Sequence, residues 1–570
     1  MRRTTHIASD LTVRQVATIW PVCAPLLERY PGARCDGRWT LQELKAFARD
    51  QRLEQRKFLR ALATAAGVEV AETCNISHDP SPMPLIFLAL AVCLTIGGGW
   101  GVMLLLRIAW GASYGAASGA SIHVHGLAEL WGWMALFIFG VASHLLRQNT
   151  KRPAPPWLEY AAAGCVIAAL LIFFVGLLAP VRASIPDIDV FASAGLAGST
   201  VLFGISMIWS LTGRSQSQRI HGSLFLIGWL WVWAEADLWL RLHYATAPVL
   251  PDAARTLLSV LPVLGFATNA IYGFGIRLIP GLLNLRQLHP RSLAIAILLH
   301  NAGLVLFLLP THLWGILGAA LMVGASVLYL IGMDLLRTKP ARPIYGVDIR
   351  GHIFIRAAFF WLVCALVMIF IEQVYPGLPH AYDGAWRHAL TVGFATTMIL
   401  GVGHRIVPIF IKQPLASTRL MLISALLIIV GNAGRVGLEL ATISGGSWTF
   451  GLMGITGLLE GSALVLFALN LILTVRRRRH IYSACEPLTV DTRVREAVNA
   501  RPELQQQLNQ AGITMLDDAP FIAPSMTFGA LALAWGGEPA ELLAELCSEN
   551  KGLAPAQETF HEPSIEPANA

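Results

Sequence analysis

From about residue 84 to residue 475 the chain alternates long apolar stretches with short polar ones. Twelve stretches come near the ~20 residues that an α-helix needs to cross a bilayer's hydrocarbon. They are 84–107, 122–146, 157–179, 190–212, 220–242, 255–283, 292–310, 313–336, 352–375, 385–411, 419–441 and 451–475. The connections are short, so neighbouring helices are expected to run antiparallel. This pattern predicts an all-α polytopic membrane domain over 83–479. The flanking segments have 3.6-residue apolar spacing and a Thr before the second helix, Thr40 in one and Thr527 in the other. They predict helical mini-domains at 1–82 and 480–550, and the Pro-, Glu- and Ala-rich stretch 551–570 is expected to be disordered.

Composition supports the same division. Hydrophobic residues make up 55% of the 570 and charged residues 14%, and the mean hydropathy is +0.58. That is too little polar surface to clothe a soluble protein of this length. The net charge of +7 changes meaning once its residues are located. Arg147, Lys151, Arg152, Arg214, Arg219, Arg286, Arg291, Arg337, Lys339, Arg342, Arg350, Lys412, Arg419 and Arg476 to Arg479 fall on the even connections and the exit from the membrane. The odd connections hold only Arg182, Arg241, Arg255 and Arg387. Basic flanks stay in the cytoplasm, so both termini are expected there. The expected partners of these cations are anionic lipids, not nucleic acid. The first apolar stretch begins near Met83, too late for a secretory leader. The eight cysteines contain no CxxC pair, which removes the zinc-ribbon and dithiol classes.

An internal repeat organises the membrane region. Gly132-Trp133 to Gly140, Gly265-Phe266 to Gly273 and Gly393-Phe394 to Gly401 each place a glycine, an aromatic and a second glycine eight positions after the first. Twelve positions after the first glycine stand His144, Arg277 and Arg405, and two copies continue to Pro280 and Pro408. The copies lie about 130 residues apart, four spans each. The expectation is three four-helix modules about a pseudo-threefold axis, with spans 2, 6 and 10 equivalent.

Histidine placement is the strongest chemical signal. His123 and His125 fall at the outer end of span 2 and His388 at the outer end of span 10. His125 and His144 are separated by roughly 28 Å of helix and cannot share a metal. Buried imidazoles need partners for both nitrogens, and neutral imidazole is the usual axial ligand of haem iron and a good copper ligand. One histidine from each of two facing helices would grip a haem. Glu129, four residues after His125, sits one turn deeper on the same face and offers a carboxylate beside the imidazole. The i,i+4 pairs Arg435/Glu439 and Asp237/Arg241 read as local ion pairs, whereas Glu235 has no local partner and could serve a proton path. Trp229, Trp231 and Trp233 read as packing and lipid contacts.

The segments His123-Val-His125…Glu129…Gly132-Trp133, Gly265-Phe266…Arg277-Leu-Ile-Pro280 and His388-Ala-Leu-Thr-Val-Gly393-Phe394…His404-Arg405 resemble NnrS-family membrane proteins over about residues 83–479. The resemblance implies a twelve-span protein of the bacterial inner membrane that contains haem and copper. It further implies a role in nitric oxide metabolism, denitrification and nitrosative stress, with a possible electron donor as partner. It makes His388 and one of His123 or His125 axial ligands, puts Glu129, Arg277 and Arg405 at the cofactor, and makes His300 a candidate copper ligand. Span 2 also looks like that of haem-copper oxidases and nitric oxide reductases. This chain departs from them by having no histidine in span 6 and only His300 in span 7. The ends resemble the small helical domain of ScdA-type iron-centre repair proteins, with Cys35 in its turn. Two other function classes stay open: a metal-free proton-coupled transporter using Glu129 and Glu235, and a true nitric oxide reductase.

Overall fold

In the computed structural model the chain divides into two compact units, Met1–Cys74 with His480–Ala570, and Asn75–Arg479. The structure describes residues 82–147, 150, 153–185, 187–212, 216–244, 258–283, 288–336, 351–411 and 415–476 of the second unit. Of the first it describes shorter pieces, chiefly 13–19, 21–29, 527–535 and 538–548.

The first unit is helical with two small additions. Val13, Val16, Leu27, Phe47 and Leu62 form a dry cluster. Cys23 belongs to it: its thiol donates to the Leu62 carbonyl at 3.3 Å, and burial pushes the thiol pKa up. Strands His6–Ile7 and Glu69–Val70 pair in parallel, and Arg34–Cys35 pairs antiparallel with Arg38–Trp39. The helical periodicity did not predict these strands. The second pair is separated in sequence by Asp36-Gly37, the two-residue connection that favours hairpins. Towards the C-terminus a helix begins at Phe528, immediately after Thr527 as expected. Thr40, the Cys35 side chain and the tail from 549 onward lie outside the described residues.

The second unit is built of helices around one continuous apolar core. We label them α1 (Met83–Gly111), α2 (Gly119–Arg147), α3 (Pro156–Val175), α4 (Ile188–Thr212), α5 (Gln216–Tyr244) and α6 (258–283). They continue as α7 (Pro290–Phe307), α8 (His312–Gly332), α9 (His352–Val374), α10 (His380–Phe410), α11 (Thr418–Ala441) and α12 (Trp448–Arg476). Among the described residues eleven helices are long and apolar enough to cross a membrane. The expected span 220–242 falls on α5, which is not one of the eleven; its C-terminal half carries Glu235, Asp237 and Arg241. Helices α3 and α4, α7 and α8, and α11 and α12 pack as antiparallel pairs. In the α7–α8 pair a Cβ on Gly303 or Gly318 would run into the other's backbone, so only glycine permits the approach. Of the basic connections, Lys151, Arg152, Arg214, Arg286, Arg337, Lys339, Arg342, Arg350, Lys412, Arg477, Arg478 and Arg479 lie outside the described residues. Arg147 is buried in an ion pair with Glu159 at 2.8 Å, and Ser206 donates to the same carboxylate at 3.0 Å.

The three repeat helices share a feature that the sequence pattern did not reveal. Each contains a π-helical segment: Ala128–Ala135 in α2, Leu261–Ala267 in α6 and Ala389–Thr396 in α10. The repeat glycines Gly132, Gly265 and Gly393 occupy the same place in each, and the three segments touch one another pairwise. Wide turns of this kind mark functional sites inside helices. Side-chain hydroxyls bond to carbonyls five residues back, Thr268 to Val263 at 2.8 Å and Thr397 to Val392 at 2.9 Å.

Candidate functional site

The site begins with a broken helix. α1 runs as an α-helix from Met83 to Leu94 and resumes at Gly98. Between them Gly97 N–H reaches back to the Val92 carbonyl at 2.9 Å, and Trp100 N–H to Thr95 at 2.8 Å. Gly97, Gly98, Gly99 and Gly101 make this segment low in helix propensity and bare of side chains. α2 fills the space they leave. A Cβ on Gly97 would overlap the Glu129 carboxylate, and one on Gly101 would overlap the His125 ring. His125 Nδ1 lies 3.1 Å from the Gly97 carbonyl. A carbonyl only accepts, so Nδ1 carries the proton and Nε2 keeps its lone pair. Glu129 lies beside Gly98 and Cys93, and its Oε1 is buried with no hydrogen-bond partner among the described residues.

His388 approaches from α10 with the same tautomer. Its Nδ1 lies 2.9 Å from the Gly384 carbonyl and 3.3 Å from Glu439 Oε2, both of them acceptors. Gly384 is required for this arrangement, because a Cβ there would overlap the Glu439 carboxylate. Glu439 also accepts from Arg435 Nη2 at 3.1 Å, while Arg435 Nη1 meets the Met453 sulfur at 2.9 Å. The local Arg435/Glu439 pair expected from spacing is therefore present, but its carboxylate is shared with a histidine of another helix. His125 is close enough to His388 and Arg435 to interact electrostatically. Glu460 of α12 interacts in the same way with His388, Arg435 and Glu439, and Glu129 with Glu460. Glu460 Oε1 is buried without a hydrogen-bond partner among the described residues. The result is one polar cluster of two imidazoles, three carboxyls and a guanidinium from four helices, α2, α10, α11 and α12, with the backbone of α1 beside it. Tyr114, on the connection between α1 and α2, bonds to Thr442 at 3.1 Å. Burial raises the pKa of its phenol.

The structure does not bring the other sequence candidates to this cluster. His123 packs edge-on against Trp239 of α5 at 4.5 Å. Trp239 and Trp131 donate to one oxygen of Glu235, at 3.2 and 3.0 Å, and Trp239 stacks on His243 at 5.3 Å. One oxygen of Glu235 thus accepts from two indoles on two helices, while Oε2 has no hydrogen-bond partner among the described residues. His300 is fully buried and its Nε2 lies 2.8 Å from the Leu264 carbonyl, within the wide turn of α6. Beside it Asn269 and Asn301 bond to each other at 3.1 and 2.8 Å, and Trp231 donates to Asn301 at 3.0 Å. Arg405 lies beside Gly351, near the end of α10 remote from His388, roughly 25 Å along the helix. The Arg277 side chain lies outside the described residues, as do those of His221 and His480.

The glycine run of α1 and the contribution of Glu460 were missed by the sequence reading. Four glycines within five residues of an apolar span is a signal that could have found the first.

In both imidazoles of the cluster Nδ1 faces a backbone carbonyl, which leaves the Nε2 lone pair free to act as a ligand. Among the described residues no group of three or more His, Cys, Asp or Glu side chains is arranged to hold a bare metal ion. No family model matches the chain, and no curated protein matches it.

Proposed function

We propose that the chain is a haem-binding integral membrane protein that handles nitric oxide, as its NnrS-like motifs imply. In this reading α5 completes twelve spans in three four-helix modules, and the protein sits in the bacterial inner membrane with both termini in the cytoplasm. The shared π-segments and their mutual contact support the modular arrangement. The observation that carries the cofactor is the matched tautomer of His125 and His388: each Nδ1 is committed to a backbone carbonyl. That is how proteins orient an imidazole and leave Nε2 as the ligand.

When bound, haem supplies a redox-active iron, a natural partner for nitric oxide. The chain's own residues do the rest. Gly97, Gly101 and Gly384 make room, Glu439 fixes the His388 ring, Arg435 balances Glu439, and Glu129 and Glu460 offer carboxyls for proton exchange. Of the two histidines open in span 2, His125 is the ligand and His123 a packing residue. Copper belongs to this proposal only through the family resemblance.

Purified protein is expected to show a Soret band that collapses in both His125→Ala and His388→Ala and persists in His123→Ala. A band that survives His388→Ala sinks the assignment. A colourless, folded protein would favour a metal-free proton-coupled transporter using Glu129 and Glu235, the reading to which the oxygens of Glu129, Glu235 and Glu460 without partners among the described residues would then point.

A further inference from the structure

A half-open apolar cavity of about 70 Å³ lies between α2, α6 and α10, from the ends of their π-segments onward, and residues of these three helices alone line it. Its wall repeats with the sequence. Counting from the first glycine of each copy, lining residues stand at the second, fifth, sixth and ninth positions in all three helices. The sixth position is a ring of isoleucines, Ile138, Ile271 and Ile399. The fifth explains why there is a void: α2 brings Phe137 and α10 brings Met398, but α6 brings only Ala270. Every lining side chain is hydrocarbon or thioether. Water needs two to four polar partners to stay in such a space, and an apolar cavity of roughly 150 Å³ without them remains dry and takes benzene or xenon. A space about half that size, equally apolar in its wall but open on one side, suits a guest of one or two heavy atoms without charge.

We propose that this axial cavity is a binding site for one small uncharged gas molecule. Close packing is the rule in protein interiors, and the two neighbouring copies show that larger side chains fit the fifth position. A gas partitions from water into the bilayer and from there into dry protein by the same preference for apolar surroundings. The cavity lies in line with the wide turns, so the guest is held on the axis of the bundle. The site stands whether or not haem is bound, because no residue of the polar cluster lines it.

Xenon is the probe. The full-length protein in nanodiscs or crystals, pressurised with xenon, is expected to show one bound atom among Ile138, Ile271 and Ile399, by xenon NMR or anomalous scattering. Ala270→Phe fills the void, and xenon affinity is expected to fall by about tenfold or more. Met398→Ala enlarges the void and is expected to raise occupancy, which keeps the test alive if the filled variant does not fold. No xenon in the wild type overturns the proposal. So does xenon that persists in a folded Ala270→Phe protein, or lipid acyl density in the cavity. Bound xenon in a protein without a Soret band would leave this site standing while the haem reading fell.

Discussion

His123 and His125 stand two residues apart on α2, on opposite faces of the helix, and their surroundings differ in kind. On the α5 side, His123 and Trp131 belong to an aromatic layer in which the one carboxylate, Glu235, accepts from two indoles. On the side of α1, α10, α11 and α12, His125 and Glu129 meet a second histidine, two more carboxyls and a guanidinium. Burial alone does not mark function, because Glu235 and Glu129 both lie deep in the helices. Unpaired oxygens do not separate the faces either, because Glu235 Oε2 has no partner among the described residues. Charge separates them: one face holds a single carboxyl between two indoles, the other gathers two imidazoles, three carboxyls and a guanidinium.

The strongest way to break this contrast is to remove Glu439, which anchors His388 and neutralises Arg435. Glu439→Ala leaves a buried guanidinium without its counter-ion, and the expected loss is about 3–5 kcal/mol, read by denaturation in detergent or nanodiscs. A loss below about 1 kcal/mol would mean that the pair is solvated. Gly101→Val comes next. Its side chain would displace the His125 ring at a cost of about 1–3 kcal/mol, and His125-dependent colour is expected to vanish while α5-side packing persists. The smallest and sharpest test sets the two carboxyls against each other. Glu235→Ala strands two indoles and should cost about 1 kcal/mol for each. Glu129→Gln keeps the size of a group whose Oε1 has no partner among the described residues and should change the melting temperature little. Equal losses for the two would erase the distinction.

The helices were legible because hydropathy and length report them directly. The expected span 352–375 became His352–Val374, and 419–441 became Thr418–Ala441. The three repeat helices were legible too, but their wide turns were not, since no residue type signals a π-turn as glycine signals a cap. That His125 and His388 come near one another was readable from the repeat, and which faces they occupy was not. His388 precedes its repeat glycine by five residues and His125 by seven, so the repeat alone does not assign their faces. Only the break in α1, which sets the Gly97 carbonyl opposite His125, gives the two span 2 histidines different surroundings. The Arg435/Glu439 spacing foretold a pair, but nothing local could foretell that His388 would join it.

Each wide turn carries one residue more than a regular helical ladder would hold, an added step of roughly 100° around the axis. An unbroken rod must present one stripe along its whole length. With a phase coupling near its middle, α2 or α10 shows an imidazole to the polar chamber at one end and bare hydrocarbon to the bundle axis at the other. A single helix can thereby serve a polar cluster and an apolar cavity without compromise between them.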